Sequence, residues 1–89
     1  MIIGPQIRAA RGLLGWSADE AAKRAGTTRF TIQRLEQHDG VPSSRSQTLL
    51  DIQRAFEEAG VEFIGTPEDG PGVRLNKRAA KPDPLPPAD

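Results

Sequence analysis

The segment Ser17–Glu36, SADEAAKRAGTTRFTIQRLE, constrains the possible folds more than any other part of the chain. Its opening serine is a favoured helix N-cap, and Glu20 stands at the capping-box position three residues later. Alanines then supply a small apolar face, and Gly26 is suited to end the helix because glycine adopts positive φ without strain. Thr27 or Thr28 can cap a second helix directly after this turn. The segment therefore predicts two short helices joined by a tight glycine turn.

The second predicted helix has an apolar side and a polar side. Ile32 and Leu35 follow helical spacing and are expected to point into the core. The start of this helix and its outward positions carry Thr28, Arg29, Phe30, Gln33 and Arg34. A small-faced helix, a glycine turn and a second helix with basic and hydrogen-bonding residues at its front are typical of a helix-turn-helix. The segment resembles the DNA-binding half of the Cro/C1-type (XRE family) phage repressors, in which the second helix of the motif enters the major groove.

The resemblance extends to both sides of this motif. Upstream, apolar residues at helical spacing predict a first helix over about Pro5–Leu14, ended by Gly15. Downstream, Ser44–Gln47 can form a capping box, and an apolar stripe then predicts a fourth helix that ends near Ala59. Four helices in this order resemble the lambda-repressor-like domain of the family over roughly residues 2–60.

One pair of charged residues adds to the resemblance. Members of the family often carry an arginine near the end of helix 1 that is ion-paired with a glutamate at the end of helix 3. Arg11 and Glu36 occupy those places, and both flank predicted core residues. The alternative is two unrelated surface charges, but the match at both positions favours a structural ion pair.

The resemblance also implies which residues contact DNA. The family's base-contacting positions match Thr28, Arg29, Phe30 and Arg34. A guanidinium can bind guanine O6 and N7 with two hydrogen bonds, while Gln33 could read adenine or bind a phosphate. Phosphate contacts are expected near helix N-termini, from Ser17, Thr27, Ser44, Arg45 and Ser46. For the last three, the alternative is an ordinary capped helix start.

Phe30 and Ala18 are among the residues of the motif that depart from the family pattern. Related proteins usually have a polar residue in place of Phe30. This phenylalanine could contact thymine methyl groups, or it could fold back onto Trp16 or Ala22 and fill space left by the small residues of helix 2. Ala18 stands where many relatives carry a phosphate-binding glutamine, so only backbone amides and the Ser17 hydroxyl remain for that contact. We expect Trp16 itself to pack in the core.

Charge is segregated along the chain, although the formal net charge is zero. Residues 1–37 carry six basic and three acidic side chains (net +3), and residues 38–70 carry two basic and seven acidic ones (net −5). Residues 71–89 carry four basic and two acidic side chains (net +2). This separation would orient the first part toward phosphates, and the small number of cations predicts a shallow salt dependence of DNA binding.

Two β-prone runs after the helices predict a hairpin. Val61–Ile64 and Gly72–Leu75 are separated by the turn-rich segment Gly65–Pro71. Glu62 and Arg74 could pair on one face. An isolated hairpin is marginal in water, so the strands must pack on the helices or join strands of another subunit. The strand edges and the palindromic operators of the family favour a dimeric sheet. Its dimerisation residues would be Val61, Phe63, Ile64, Val73 and Leu75.

The last residues are rich in proline and charge and have almost nothing apolar to bury, which predicts a disordered tail. The predicted fold is thus mostly α. It comprises a helix-turn-helix DNA-binding domain in residues 1–60, a hairpin and possible dimerisation element in residues 61–76, and the tail in residues 77–89.

Other classes of function find little support in the sequence. The chain has no cysteine, and His38 is its only histidine, so a metal site is not expected. No nucleophile–base pair or phosphate-binding loop is recognisable, so neither an enzyme nor a cofactor is expected. No apolar run reaches transmembrane length and the N-terminus lacks signal-peptide features, which together with the resemblance indicates a cytoplasmic protein of a bacterium.

The sequence therefore predicts a transcriptional regulator that binds double-stranded DNA. The resemblance implies a homodimer that reads a palindromic operator through helix 3. The alternative is an antitoxin or adaptor whose main role is to bind a protein partner through the hairpin or the acidic segment 39–69.

Overall fold

In the computed structural model, which describes residues 2–39 and 46–76, four helices are followed by a two-stranded antiparallel hairpin. In chain order the elements are α1 (Gly4–Leu14), α2 (Ala18–Ala25), α3 (Arg29–Glu36), α4 (Ser46–Glu58), β1 (Val61–Thr66) and β2 (Asp69–Leu75). The prediction of a mostly helical chain with a hairpin after the fourth helix is confirmed. The predicted tail, residues 77–89, lies outside the described residues.

The starts of α2 and α3 follow the local chemistry of the sequence. The Ser17 hydroxyl accepts a hydrogen bond from the Glu20 N–H at 3.0 Å. The Thr28 hydroxyl accepts one from the Thr31 N–H at 3.1 Å, so Thr28 rather than Thr27 caps α3. Each cap satisfies a backbone donor that has no partner within its helix. The predicted capping box of α4 falls largely outside the described residues.

The core lies between the helices and one face of the hairpin. Phe56 of α4 is its largest fully buried side chain. The Phe56 ring stacks on Trp16 with centroids 5.4 Å apart and meets Phe63 edge-on at 6.0 Å. Such ring pairs contribute about 0.5–1.5 kcal/mol beyond the area that they bury. Trp16 therefore packs against the core, as expected, and the three rings join the α1–α2 turn, α4 and β1.

The two strands of the hairpin pair in an almost regular antiparallel register. The Cα partners are Val61↔Leu75, Glu62↔Arg74, Phe63↔Val73, Ile64↔Gly72 and Thr66↔Asp69. The register shifts beside Gly65, which has φ 78° and approaches the Gly70 backbone too closely to leave room for a side chain. On the exposed face, Arg74 and Glu62 form the predicted ion pair, with Nη2 and Oε1 3.1 Å apart.

The apolar face of the hairpin covers helices of the same chain. Val61 is buried, and Phe63, Val73 and Leu75 pack partly buried against the core. The helical surface beneath them comes from α1 and α4. Of the two alternatives for the hairpin, the chain thus shows packing on its own helices. Four of the five side chains proposed for dimerisation are used in this way, and Ile64 remains exposed.

The N-terminal isoleucines are buried, which the periodicity of α1 does not indicate. Ile2 and Ile3 expose only 3% and 7% of their surface. Gly4 begins α1 one residue before the predicted start and lies against the end of α3. A Cβ atom at Gly4 would collide with the carbonyl groups of Leu35 and His38. The start of α1 therefore packs tightly against the end of α3. In the sequence, the two consecutive isoleucines are the signal that this segment is buried.

Gln6 connects the start of α1 to the hairpin. Its side chain is almost fully buried, and its Oε1 accepts a hydrogen bond from the Ile3 N–H at 2.9 Å. Its Nε2 donates to the Gly72 carbonyl at 2.9 Å and to the Ile64 carbonyl at 3.3 Å. One side-chain amide thus satisfies backbone groups near its own position and in the hairpin, where the Gly72 carbonyl lies 66 residues from Gln6 in sequence.

We predict that Gln6→Leu lowers the free energy of unfolding by about 1–3 kcal/mol, because it leaves the buried Ile3 N–H and two partly buried carbonyls without their partner. Urea denaturation followed by Trp16 fluorescence measures this change. Gln53→Leu is the matched control, since Gln53 lies on α4 and its amide donates to Glu57 at an exposed site. Equal losses in the two variants would contradict the role assigned to Gln6.

Candidate nucleic-acid interface

α2 and α3 pack closely around a short glycine turn. The buried side of α2 consists of alanines, and that of α3 includes Ile32 and Leu35. Between the helices, Gly26 adopts a left-handed conformation with φ 73°, and the Thr27 N–H donates to the Ala22 carbonyl at 2.9 Å. The predicted pair of short helices joined by a tight turn is present, with three residues between them.

The exposed side of α3 brings together the residues predicted to contact bases. We define the α3 outer face as Thr28, Arg29, Phe30, Gln33 and Arg34, all of which are exposed. Residues 29, 30, 33 and 34 share one side of a helix because successive residues are separated by about 100°. The opposite side of α3 is held in the core. The structure therefore presents one apolar ring, two guanidinium groups and one amide on a single surface.

Phe30 points away from the core and exposes 72% of its surface. The alternative in which it folds back onto Trp16 or Ala22 is therefore wrong. The physical reason is that both neighbours are already covered. The Arg24 guanidinium lies 4.8 Å from the centre of the Trp16 ring, and Ala22 is buried in the main core cluster.

Arg24 is held in place by two contacts on α2. Its Nε donates to the Glu20 carboxylate at 2.6 Å while its guanidinium covers the indole of Trp16. This hydrogen bond lowers the pKa of Glu20. Sequence reasoning missed both contacts, although Glu20 and Arg24 have the i, i+4 spacing that predicts an ion pair on a helix. Arg24 thus stabilises the outside of the aromatic cluster.

Within the α3 outer face, the side chains differ in how firmly they are held. The Thr28 hydroxyl is engaged by the N–H and the hydroxyl of Thr31. Arg29 Nε lies 3.7 Å from an Asp19 carboxylate oxygen, and both side chains are more than half exposed. An exposed pair at this distance contributes little to stability, so Arg29 can exchange Asp19 for another anion at small cost.

The residues predicted to contact phosphates are described only in part. Ser17 caps α2, and Thr27 is half buried in the turn between α2 and α3. Ser44 and Arg45 lie outside the described residues, and Ser46 is described only as the first residue of α4. The first two residues lie at or directly before helix N-termini, where the helix dipole and free N–H groups favour an anion.

A bidentate ion pair supports α3 from behind. Arg11 Nε lies 2.6 Å from Glu36 Oε2, and Arg11 Nη2 donates to Glu36 Oε1 at 3.0 Å. These hydrogen bonds raise the pKa of Arg11 above its ordinary value. The third nitrogen of Arg11 donates to the Trp16 carbonyl at 3.1 Å, and Arg8 donates to the Glu36 carbonyl at 2.8 Å. Arg8, Arg11 and Glu36 therefore belong to one hydrogen-bond network. This network fixes α3 against α1 and the α1–α2 turn.

Two other kinds of site are not found in the described part of the chain. Residues 2–39 and 46–76 contain no group of three or more His, Asp or Glu side chains placed to hold a metal ion. No helix within these ranges has the length and apolar character needed to cross a membrane.

Comparison with known proteins adds no identification. The sequence matches no family model, and no match was found among curated proteins or solved structures.

We predict that Glu36→Ala lowers the free energy of unfolding by about 3 kcal/mol, because it leaves the partly buried Arg11 without its counter-charge. Urea denaturation followed by circular dichroism gives the value. Glu58→Ala, which removes an exposed carboxylate of α4, is the control.

The double variant Arg11→Ala/Glu36→Ala tests the coupling itself. We expect its loss of unfolding free energy to be clearly smaller than the sum of the losses in Arg11→Ala and Glu36→Ala, because the two groups interact directly. Additive losses, or a Glu36→Ala effect no larger than that of Glu58→Ala, would show that the pair does not hold α3.

Proposed function

We propose that this protein is a sequence-specific, DNA-binding regulator of transcription that resembles the Cro/C1-type repressors. The observation that carries the proposal is the division of α3 into two sides. Its rear is pinned by core residues and by the Arg11–Glu36 ion pair, while its front exposes basic and hydrogen-bonding side chains. A rigidly held helix with such a front is what reading base edges in the major groove requires.

The dimensions and chemistry of α3 agree with this role. A helix with its side chains is about 10–12 Å in diameter, and the major groove of B-DNA is about 12 Å wide. Arg29 and Arg34 can each donate two hydrogen bonds to guanine O6 and N7, and Gln33 can pair in the same way with adenine. Thr28, which caps the N-terminus of α3, would contact a base edge or an adjacent phosphate. The exposed side chains of this eight-residue helix would read a few base pairs.

Contacts to phosphates would set the orientation of the domain. Hydrogen-bond donors for phosphates lie close in sequence to the α3 outer face. They are the free N–H groups at the start of α2, together with Ser17 and Thr27. Residues 1–37 carry a net charge of +3, whereas residues 38–70 carry −5. This asymmetry supports an approach in which α2 and α3 face the duplex.

A homodimer on a palindromic operator is the arrangement that the resemblance suggests, in the cytoplasm of a bacterium. Two copies would place their α3 helices in successive major grooves, about 34 Å apart. Most apolar side chains of the hairpin already pack on helices of the same chain. A sheet between subunits would therefore form by pairing of strand edges, beside the exposed Ile64.

Selection from a random duplex pool tests the proposal directly. Purified protein is incubated with the pool at physiological salt, and bound duplexes are sequenced after several rounds. We expect enrichment of a palindrome whose half-sites lie about one helical turn apart. Failure to enrich any sequence above background would overturn the proposal.

The second candidate function is binding of a protein partner. The observation in its favour is the two-stranded sheet itself, since each strand pairs with only one neighbour among the described residues and keeps one open edge. Co-purification of a second small protein in stoichiometric amount, with no DNA sequence selected, would favour this role.

We predict that Arg34→Ala weakens binding to the selected duplex by about 1–3 kcal/mol and relaxes the preference at one base pair. Fluorescence anisotropy on the selected duplex and on its single-base variants measures both effects. Arg54→Ala removes the same charge from an exposed position on α4 and serves as the control. Equal weakening on all sequences would instead assign Arg34 to a phosphate.

A further inference from the structure

Phe30 stands out among the large apolar side chains that the described residues expose. Its exposed fraction is 72%, compared with 49% for Leu50, 43% for Leu13 and 36% for Ile64. Those three side chains lie on α4, α1 and β1, respectively. An apolar surface that binds another protein is usually a contiguous patch, whereas Phe30 is the one large apolar side chain that α3 exposes.

Hydrogen-bonding side chains surround Phe30 on the surface of α3. Gln33 and Arg34 follow it by three and four residues, so they are its neighbours along the helix surface. Arg29 precedes it, and all three are exposed. The local pattern is one apolar ring framed by hydrogen-bond donors. A complementary ligand must therefore present one apolar group among hydrogen-bond acceptors.

The edge of DNA in the major groove has this composition. Guanine presents two acceptors, adenine presents one acceptor and one donor, and thymine presents an acceptor beside its 5-methyl group. That methyl group is the apolar feature of the major-groove edge. We propose that Phe30 reads the 5-methyl group of a thymine, next to bases that Arg29, Gln33 or Arg34 contact. This inference rests on the proposed function, because it requires α3 to lie in the groove.

Deoxyuridine provides the test, because it differs from thymidine only by this methyl group. In the duplex recovered by selection, each thymine of one half-site is replaced by deoxyuridine in turn, and Kd is measured by fluorescence anisotropy. We expect one replacement to weaken wild-type binding about fourfold, the factor for losing one buried methyl-sized group. Phe30→Ala should bind the thymine and uracil duplexes with equal affinity.

Two controls separate this contact from a general effect. Leu50→Ala truncates an exposed aliphatic side chain on α4 and should keep the fourfold difference. Thermal unfolding should be nearly unchanged in Phe30→Ala, because the ring adds little to the core. The inference is overturned, with DNA binding intact, if no thymine replacement weakens binding or if Phe30→Ala keeps the fourfold difference. Failure to select any duplex would overturn the proposed function and this inference together.

Discussion

The contact between Arg11 and Glu36 determines where α3 lies, and most of the candidate interface depends on it. Three nitrogens of one guanidinium reach the Glu36 carboxylate and the Trp16 carbonyl, so a single side chain joins α1, the α1–α2 turn and α3. Planar, bidentate geometry of this kind restricts orientation more than a point charge does. Because the pair lies at the rear of α3, it fixes the direction in which the outer face points without occupying any part of it.

The small side chains on the buried side of α2 are complemented by the aromatic cluster. Alanines on the buried side of α2 allow α3 to approach closely but leave little volume in the core. Trp16, stacked on Phe56 and covered by Arg24, supplies that volume from outside α2. Since this space is filled, Phe30 has no place inside, and its ring stays on the α3 outer face. The exposed ring is thus a consequence of how the neighbouring core is packed.

Features determined by neighbouring residues could be predicted from the sequence, and those that depend on distant partners could not. The Ser17 cap, a threonine cap at position 27 or 28 and the alternation of the hairpin are local, so residue type and spacing indicate them. Residue type and spacing do not single out Gln6, because its partners at Ile64 and Gly72 lie far along the chain. The side of α3 that faces outward followed from periodicity, whereas the choice between two positions for Phe30 required the tertiary structure.

The link between Gln6 and the hairpin also bears on how the protein is made. The start of α1 is synthesised before its partners in β1 and β2, which follow about sixty residues later in sequence. Contacts of such large sequence separation form late, because the intervening chain must first be ordered. Until then the apolar face of the hairpin and the surface of α1 and α4 beneath it have no complete cover. During synthesis the packing of the helices is therefore incomplete until the hairpin has formed on α1 and α4. Formation of the hairpin is the last step in the assembly of the domain.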